Sequence, residues 1–75
     1  LEAGDNAPVV FNAANEIAVE AFLQERISFL KIPAIVSAAL ETCETGKIHN
    51  LEDVLQYDQM ARDVTSSIIQ MQKGV

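Results

Sequence analysis

Residues 7–25, APVVFNAANEIAVEAFLQE, decide the expected fold of this 75-residue chain. Apolar side chains recur every three or four residues in this segment, which is the spacing of one helix face. The recurring apolar residues are Val10, Phe11, Ala14, Ile17, Ala18, Ala21 and Phe22. The polar residues Asn12, Glu16, Glu20 and Gln24 step by four and form a solvent face. The segment therefore predicts a helix from about Ala7 to Glu25 whose wide apolar side contacts more than one neighbour.

Two further helices follow the first. The second is predicted from about Leu30 to Cys43, after a short connector in which Ile27 and Phe29 are expected to be buried. The third is predicted from Leu51 to about Lys73, with Asn50 as its N-cap. Its apolar stripe is expected to be Leu51, Val54, Tyr57, Ala61, Val64, Ile68 and Met71. The alternative is two shorter helices with a break at Asp58.

The start of the chain suggests part of a fourth helix. Residues 1–4 are interpreted as the tail of an upstream helix with Gly4 as its C-cap, and Asn6 as the N-cap of the next helix. No stretch alternates like a β-strand. The predicted fold is thus all-α, a small antiparallel helical bundle of three helices plus the stub of a fourth, and residues 1–75 form one C-terminal helical domain.

Composition excludes several functions. The net charge is −6, and the five basic residues are scattered, so binding of nucleic acid or of an anionic membrane surface is not expected. No apolar stretch approaches the ~20 residues of a membrane span. The single cysteine permits no internal disulfide. A chain this short has a thin margin of stability, and we therefore expect it to pack against another protein surface.

No catalytic, cofactor-binding or metal-binding residue is predicted. The three glycines, Gly4, Gly46 and Gly74, lie too far apart for a phosphate-binding loop. Cys43 and His49 are only six positions apart, but a core thiol and an exposed loop imidazole explain them better than a nucleophile and its base.

Two asparagines interrupt the apolar first helix. Asn12 and Asn15 lower helix propensity. Either both are simply exposed, or Asn15 satisfies backbone groups of a neighbouring helix or domain. The candidate interdomain contacts are therefore Asn12, Asn15 and Glu16.

The run from Asn12 to Leu23, NAANEIAVEAFL, resembles the segment that opens the C-terminal helical domain of 1-deoxy-D-xylulose 5-phosphate reductoisomerase. The similarity continues through residues 26–29, 32, 34–36, 51–55, 58 and 61–62, and residues 4–8 resemble the lead-in of that family. Leu30 departs from the pattern, because the family often has a hydroxyl residue there that caps the second helix. Ser28 is the alternative cap.

The resemblance implies a parent enzyme of non-mevalonate isoprenoid biosynthesis. Such an enzyme makes 2-C-methyl-D-erythritol 4-phosphate with NADPH and a divalent cation (Mg, Mn or Co). The family's catalytic and cofactor residues belong to its N-terminal and central domains, which would be the partners of this chain. A cytoplasmic bacterial enzyme is expected, with a plastid enzyme as the alternative. We also expect the isolated chain to self-associate. The competing hypothesis is a free-standing helical protein-interaction module.

Overall fold

The computed structural model describes residues 5–73, in which all regular structure is helical. Helix α1 spans Ala7–Leu23, α2 spans Lys31–Thr42 and α3 spans Leu51–Lys73. The prediction of an all-α fold with three helices is confirmed. The predicted helix stub at residues 1–4 lies outside the described residues, as does Gly74.

The three helices alternate in direction. Val10 and Ala13 of α1 pack with Ala61 of α3, while Ala21 near the end of α1 packs with Ile69 near the end of α3. Helices α1 and α3 therefore run the same way. Helix α2 runs antiparallel to both, because Cys43 at its end packs with Val10 near the start of α1.

Small side chains allow the helices to approach closely. Six of the twelve buried apolar residues of the described chain are alanines. Alanine fills little volume, so helix axes can lie near the short end of the usual 8–10 Å range. The six are Ala13, Ala14, Ala18, Ala21, Ala39 and Ala61. A core built this way leaves larger apolar side chains on the surface.

Helix α3 is one continuous helix, so the alternative break at Asp58 is wrong. Its predicted stripe is also wrong at both ends, because Leu51 and Met71 are 72% and 70% exposed. The buried column is instead Ala61, Thr65 and Ile69, at spacings of four. Thr65 is accommodated because its hydroxyl donates to the Ala61 carbonyl at 2.6 Å. Ala61 and Ile69 of this column pack against the alanines of α1.

The connector between α1 and α2 begins with a tight reversal. Arg26 N–H donates to the Ala21 carbonyl at 2.8 Å, and Glu25 N–H donates to the Phe22 carbonyl at 2.9 Å. These two bonds form a Schellman motif. Glu25 adopts the left-handed conformation at φ 62°, where glycine is the usual residue. The helix thus ends at Leu23, two residues before the predicted Glu25.

The remainder of the connector differs in part from the prediction. Ile27 packs against the core, as expected. Phe29 was expected to be buried but is 65% exposed, and its ring lies edge-on to Phe22 with centroids 5.5 Å apart. Leu30 occupies the N-cap position of α2 without a side-chain hydrogen bond, and Ser28 accepts the Lys31 N–H through its backbone carbonyl.

Two predicted N-caps behave differently. Asn50 caps α3 as predicted, because its Oδ1 accepts the Asp53 N–H at 2.9 Å. Asn6 occupies the N-cap position of α1 as predicted, and its carbonyl accepts the Val10 N–H at 2.9 Å, but its side chain makes no cap hydrogen bond. It is only 1% exposed, and its side chain bonds to the loop between α2 and α3.

Candidate interdomain surface

Of the three candidate contact residues, Asn12 and Glu16 share one face of α1 and Asn15 lies away from it. Asn12 and Glu16 are exposed, whereas Asn15 is half-buried. Successive residues on a helix are separated by about 100°, so Asn15 and Glu16 point in clearly different directions. The structure therefore does not bring the three together into one patch.

Glu16 is engaged by α3. Its Oε1 accepts the Arg62 Nη2–H at 2.7 Å, and the Asp58 Oδ2 accepts the Nε–H of the same guanidinium at 2.9 Å. Two hydrogen bonds raise the pKa of Arg62 above its ordinary value. The larger effect comes from Asp58 and the next from Glu16. Since the Glu16 side chain remains 58% exposed, the pair is screened by water and contributes little to stability.

Asn15 lines a mostly apolar groove between α1 and α2, with a volume of about 370 Å³. Phe11, which is 50% exposed, forms one wall, and Leu40 contributes to the other. The floor is formed by Ile32, Pro33, Val36 and Ser37. Asn15 thus places a side-chain amide at the edge of this apolar groove. A polar group in that position can fix the orientation of a partner that packs into the groove.

Large apolar side chains are exposed at several places on the described surface. Phe11 and Leu40 flank the groove, Leu51 and Leu55 lie on the first turns of α3, and Met71 lies near the end of α3. A third group occupies the end of the bundle where α1 passes to α2. That third group comprises Leu23, Phe29 and Leu30. Exposed apolar residues in such groups are typical of protein contact surfaces.

The groups considered for chemistry are not assembled into a catalytic site. Cys43 is buried, and burial raises the pKa of its thiol, which keeps it protonated and unreactive. His49 is exposed, with its Nδ1 3.5 Å from the Asp53 Oδ2. The interpretation of a core thiol and an exposed imidazole is confirmed. Within residues 5–73 there is no group of three or more potential metal ligands.

Among residues 5–73, none of the three helices combines the length and the apolar character of a membrane-spanning helix.

Comparison with known families identifies this architecture. The family of the DXP reductoisomerase C-terminal domain matches residues 1–64. The chain belongs to this family. The match spans α1, α2 and much of α3, and therefore includes both the groove and the connector.

Similar curated proteins carry the name 1-deoxy-D-xylulose 5-phosphate reductoisomerase. The chain is 48% identical to that of Acinetobacter baumannii over 69 residues, which are 92% of this chain and 17% of the relative. It is 51% identical to that of Xanthomonas oryzae pv. oryzae over 65 residues, or 87% of this chain and 16% of the relative. A relative from Vesicomyosocius okutanii is 45% identical over 69 residues, which are 92% of this chain and 18% of the relative. The chain thus spans about one sixth of the length of these reductoisomerases.

Sequence reasoning missed the connector as a surface. Leu23 was placed within the first helix and Phe29 was expected to be buried, yet they are 71% and 65% exposed. The sequence contains one relevant signal, because the connector has no glycine that could end α1. A residue with a Cβ, Glu25, therefore adopts the left-handed conformation.

Proposed function

We propose that this chain is the non-catalytic C-terminal domain of an enzyme that converts 1-deoxy-D-xylulose 5-phosphate to 2-C-methyl-D-erythritol 4-phosphate. The match to the reductoisomerase C-terminal domain family carries the proposal. It is supported by the 48% identity to a named reductoisomerase, of which this chain covers 17% of the length. The domain supports the rest of the subunit by packing against its N-terminal and central domains. The alternative of a free-standing interaction module has no specific observation in its favour.

The pattern of burial supports a packing role. The core consists largely of alanines, whereas Phe11 and Leu40 remain exposed beside the groove. Covering an apolar side chain contributes about 25 cal/mol per Å² removed from water. Neighbouring domains that cover this surface would stabilise both themselves and the bundle. Asn12 and Asn15 are proposed as contacts to those domains, while Glu16 acts mainly through Arg62.

NADPH and a divalent cation (Mg, Mn or Co) are proposed cofactors of the whole enzyme, bound outside this chain. The described residues do not suit either one. The chain has no cluster of glycines for a dinucleotide phosphate, and its carboxylates at residues 5–73 do not gather into a ligand set. No step of the reaction is therefore assigned to residues of this chain.

The enzyme is proposed to act in the bacterial cytoplasm. The three relatives named above are bacterial proteins, and none supports the plastid alternative. We further propose that the isolated chain self-associates through its exposed apolar side chains. Sedimentation velocity at increasing concentration should show species larger than a monomer, and a monomer at every concentration would contradict this.

Deletion in the full-length enzyme tests the main proposal. Removal of residues 5–75 should abolish soluble, active reductoisomerase, because the other domains lose their apolar cover. Normal turnover by the truncated enzyme would overturn the proposal.

Point variants separate support from catalysis. Asn15→Ala should lower the thermal midpoint of the full-length enzyme while KM for substrate and NADPH stays unchanged. Glu16→Gln serves as the matched control, since it alters only an exposed ion pair within the chain. A loss of kcat in Asn15→Ala at unchanged stability would instead indicate a catalytic role.

A further inference from the structure

One end of the bundle combines exposed apolar and basic side chains. Leu23, Phe29 and Leu30 are 71%, 65% and 84% exposed. Arg26 and Lys31 are exposed in the same stretch. We call these five residues the connector surface. Exposed apolar side chains gathered in this way are typical of contact surfaces.

The two cations share one depression. Arg26 and Lys31 both line a cavity of about 250 Å³ that also includes Gln72, near the end of α3. The Lys31 Nζ donates to the Gln72 Oε1 at 3.1 Å, which holds the amine beside the cavity. Neither cation lies within 4 Å of a carboxylate among the described residues, whereas Arg62 lies between two. Both positive charges are therefore available to an external partner.

The two ends of the bundle differ in charge. Residues 23–31 contain two bases and one acid, giving +1, although the whole chain carries −6. The far end includes residues 41–53, which contain four acidic residues and one basic residue, so the net charge of this segment is −3. The connector surface is thus the basic end of an acidic domain, and it favours a partner that carries carboxylates.

The connector surface is also pre-organised. The Schellman bonds of Glu25 and Arg26 fix the reversal, and the edge-on contact with Phe22 fixes the ring of Phe29. A surface that is already ordered loses little conformational entropy when a partner binds. The backbone of this reversal and the exposed ring of Phe29 are therefore held in place before any contact is made.

We propose that the connector surface is the docking site for an acidic segment, bearing apolar side chains, from the rest of the same reductoisomerase polypeptide. This inference rests on the proposed function. More than four fifths of the length of each named relative lies outside the region that this chain matches. Carboxylates of that segment pair with Arg26 and Lys31, and its apolar side chains cover Phe29 and Leu30.

A second copy of the chain is the less suitable occupant. Its densest group of acidic residues, at positions 41–53, lies at the opposite end of the bundle, so the contact would be head-to-tail. Such a contact is heterologous, and it produces open-ended polymers unless its rotation closes a ring. A segment of the same polypeptide satisfies both the charge and the apolar surface without polymerisation.

Photo-crosslinking in the full-length enzyme tests the inference. A benzophenone amino acid replaces Phe29, and the irradiated protein is digested and mapped by mass spectrometry. The expected adduct is intramolecular, with a peptide outside residues 5–75 that contains at least two Asp or Glu residues and apolar neighbours. The absence of any protein adduct, or only intermolecular adducts whose yield rises with protein concentration, would overturn the proposal.

Charge reversal provides the second arm. The double variant Arg26→Glu/Lys31→Glu should lower the adduct yield by about fivefold or more, because it places like charges opposite the segment. Lys47→Glu, an exposed lysine at the far end, is the matched control and should leave the yield unchanged. About 0.5 M NaCl should reduce the unmodified yield in the same direction. If neither the double variant nor the added salt changes the adduct yield, the proposal of an acidic partner is refuted.

The two proposals fail separately. If the truncated enzyme keeps normal turnover, the supporting function itself is wrong. If truncation abolishes activity while residue 29 forms no intramolecular adduct, the domain is required but docks through another surface.

Discussion

The side chain of Asn6 is hydrogen-bonded to Gly46, forty positions further along the chain. Its Oδ1 accepts the Gly46 N–H at 2.9 Å, and its Nδ2 donates to the Glu44 carbonyl at 2.7 Å. The N–H groups of Asp5 and Asn6 donate in turn to the Gly46 carbonyl. The start of α1 and the irregular loop after α2 are therefore joined into one unit.

Asn6→Ala should destabilise the chain by about 1–3 kcal/mol. The substitution leaves the Glu44 carbonyl and the Gly46 N–H without their partner at a site where Asn6 is 1% exposed. Asn12→Ala, at an exposed position within the same helix, is the control and should be neutral or slightly stabilising. Urea unfolding followed by circular dichroism measures both. Equal midpoints for the two variants would show that the Asn6 bonds contribute nothing.

Gly46 is required by its proximity to Tyr57. A Cβ at position 46 would overlap the Tyr57 hydroxyl and lie 2.9 Å from its Cζ. Gly46→Ala should therefore cost about 1–3 kcal/mol through overpacking. Tyr57→Phe removes the hydroxyl, so the double variant should lose less than the sum of the two single losses. Strict additivity in a double-mutant cycle would contradict this contact.

The fold was predictable where local signals agreed. Helical periodicity in α1 and the Asn50 cap of α3 depend on neighbouring residues, and both are confirmed. The burial pattern of α3 was not predictable, because it depends on how closely α1 approaches. Alanines on α1 select Ala61 and Ile69 for the interface and leave Met71 outside.

The candidate surface was predictable only in part. Asn12 is exposed, and Asn15 lies at the border of an apolar groove, near the position proposed from the sequence. The partner of Glu16 was not foreseen, since Arg62 is 46 positions away and a single sequence does not indicate which turns of two helices meet. The role of Asn6 was missed for the same reason, as a local cap accounts for its sequence equally well.

Asn50→Ala should lower stability by about 1 kcal/mol. The Asn50 side chain accepts the Asp53 N–H, and the Asp53 carboxylate accepts the His49 N–H at 2.9 Å, so the first turn of α3 has reciprocal bonds. Asn50→Asp preserves an acceptor at the same position and should retain most of the stability. Thermal unfolding compares the three proteins, and an unchanged midpoint in Asn50→Ala would refute the cap.

Cys43 should resist alkylation in the folded chain. Burial raises the pKa of its thiol above the ordinary 9.0, and iodoacetamide reacts with the thiolate. Labelling at pH 8 should be slow in buffer and fast in denaturant. The stabilising effect of the neutral thiol is complete below pH 9 and is lost as the pH rises towards the folded pKa. Between pH 8 and 10 the wild type should therefore lose more stability than Cys43→Ala, and an equal loss would contradict the assignment.

Glu25→Gly should stabilise the chain, although glycine usually weakens a folded protein. Glu25 has φ 62°, a conformation that disfavours residues with a Cβ by about 1–2 kcal/mol. Glycine removes that penalty but adds freedom to the unfolded chain, so the net gain should be about 0.5–1 kcal/mol. Glu20→Gly provides a matched control, because Glu20 is exposed within α1 and should lose about 1 kcal/mol. Denaturant midpoints that shift in the same direction for both variants would show that the left-handed conformation of Glu25 carries no strain.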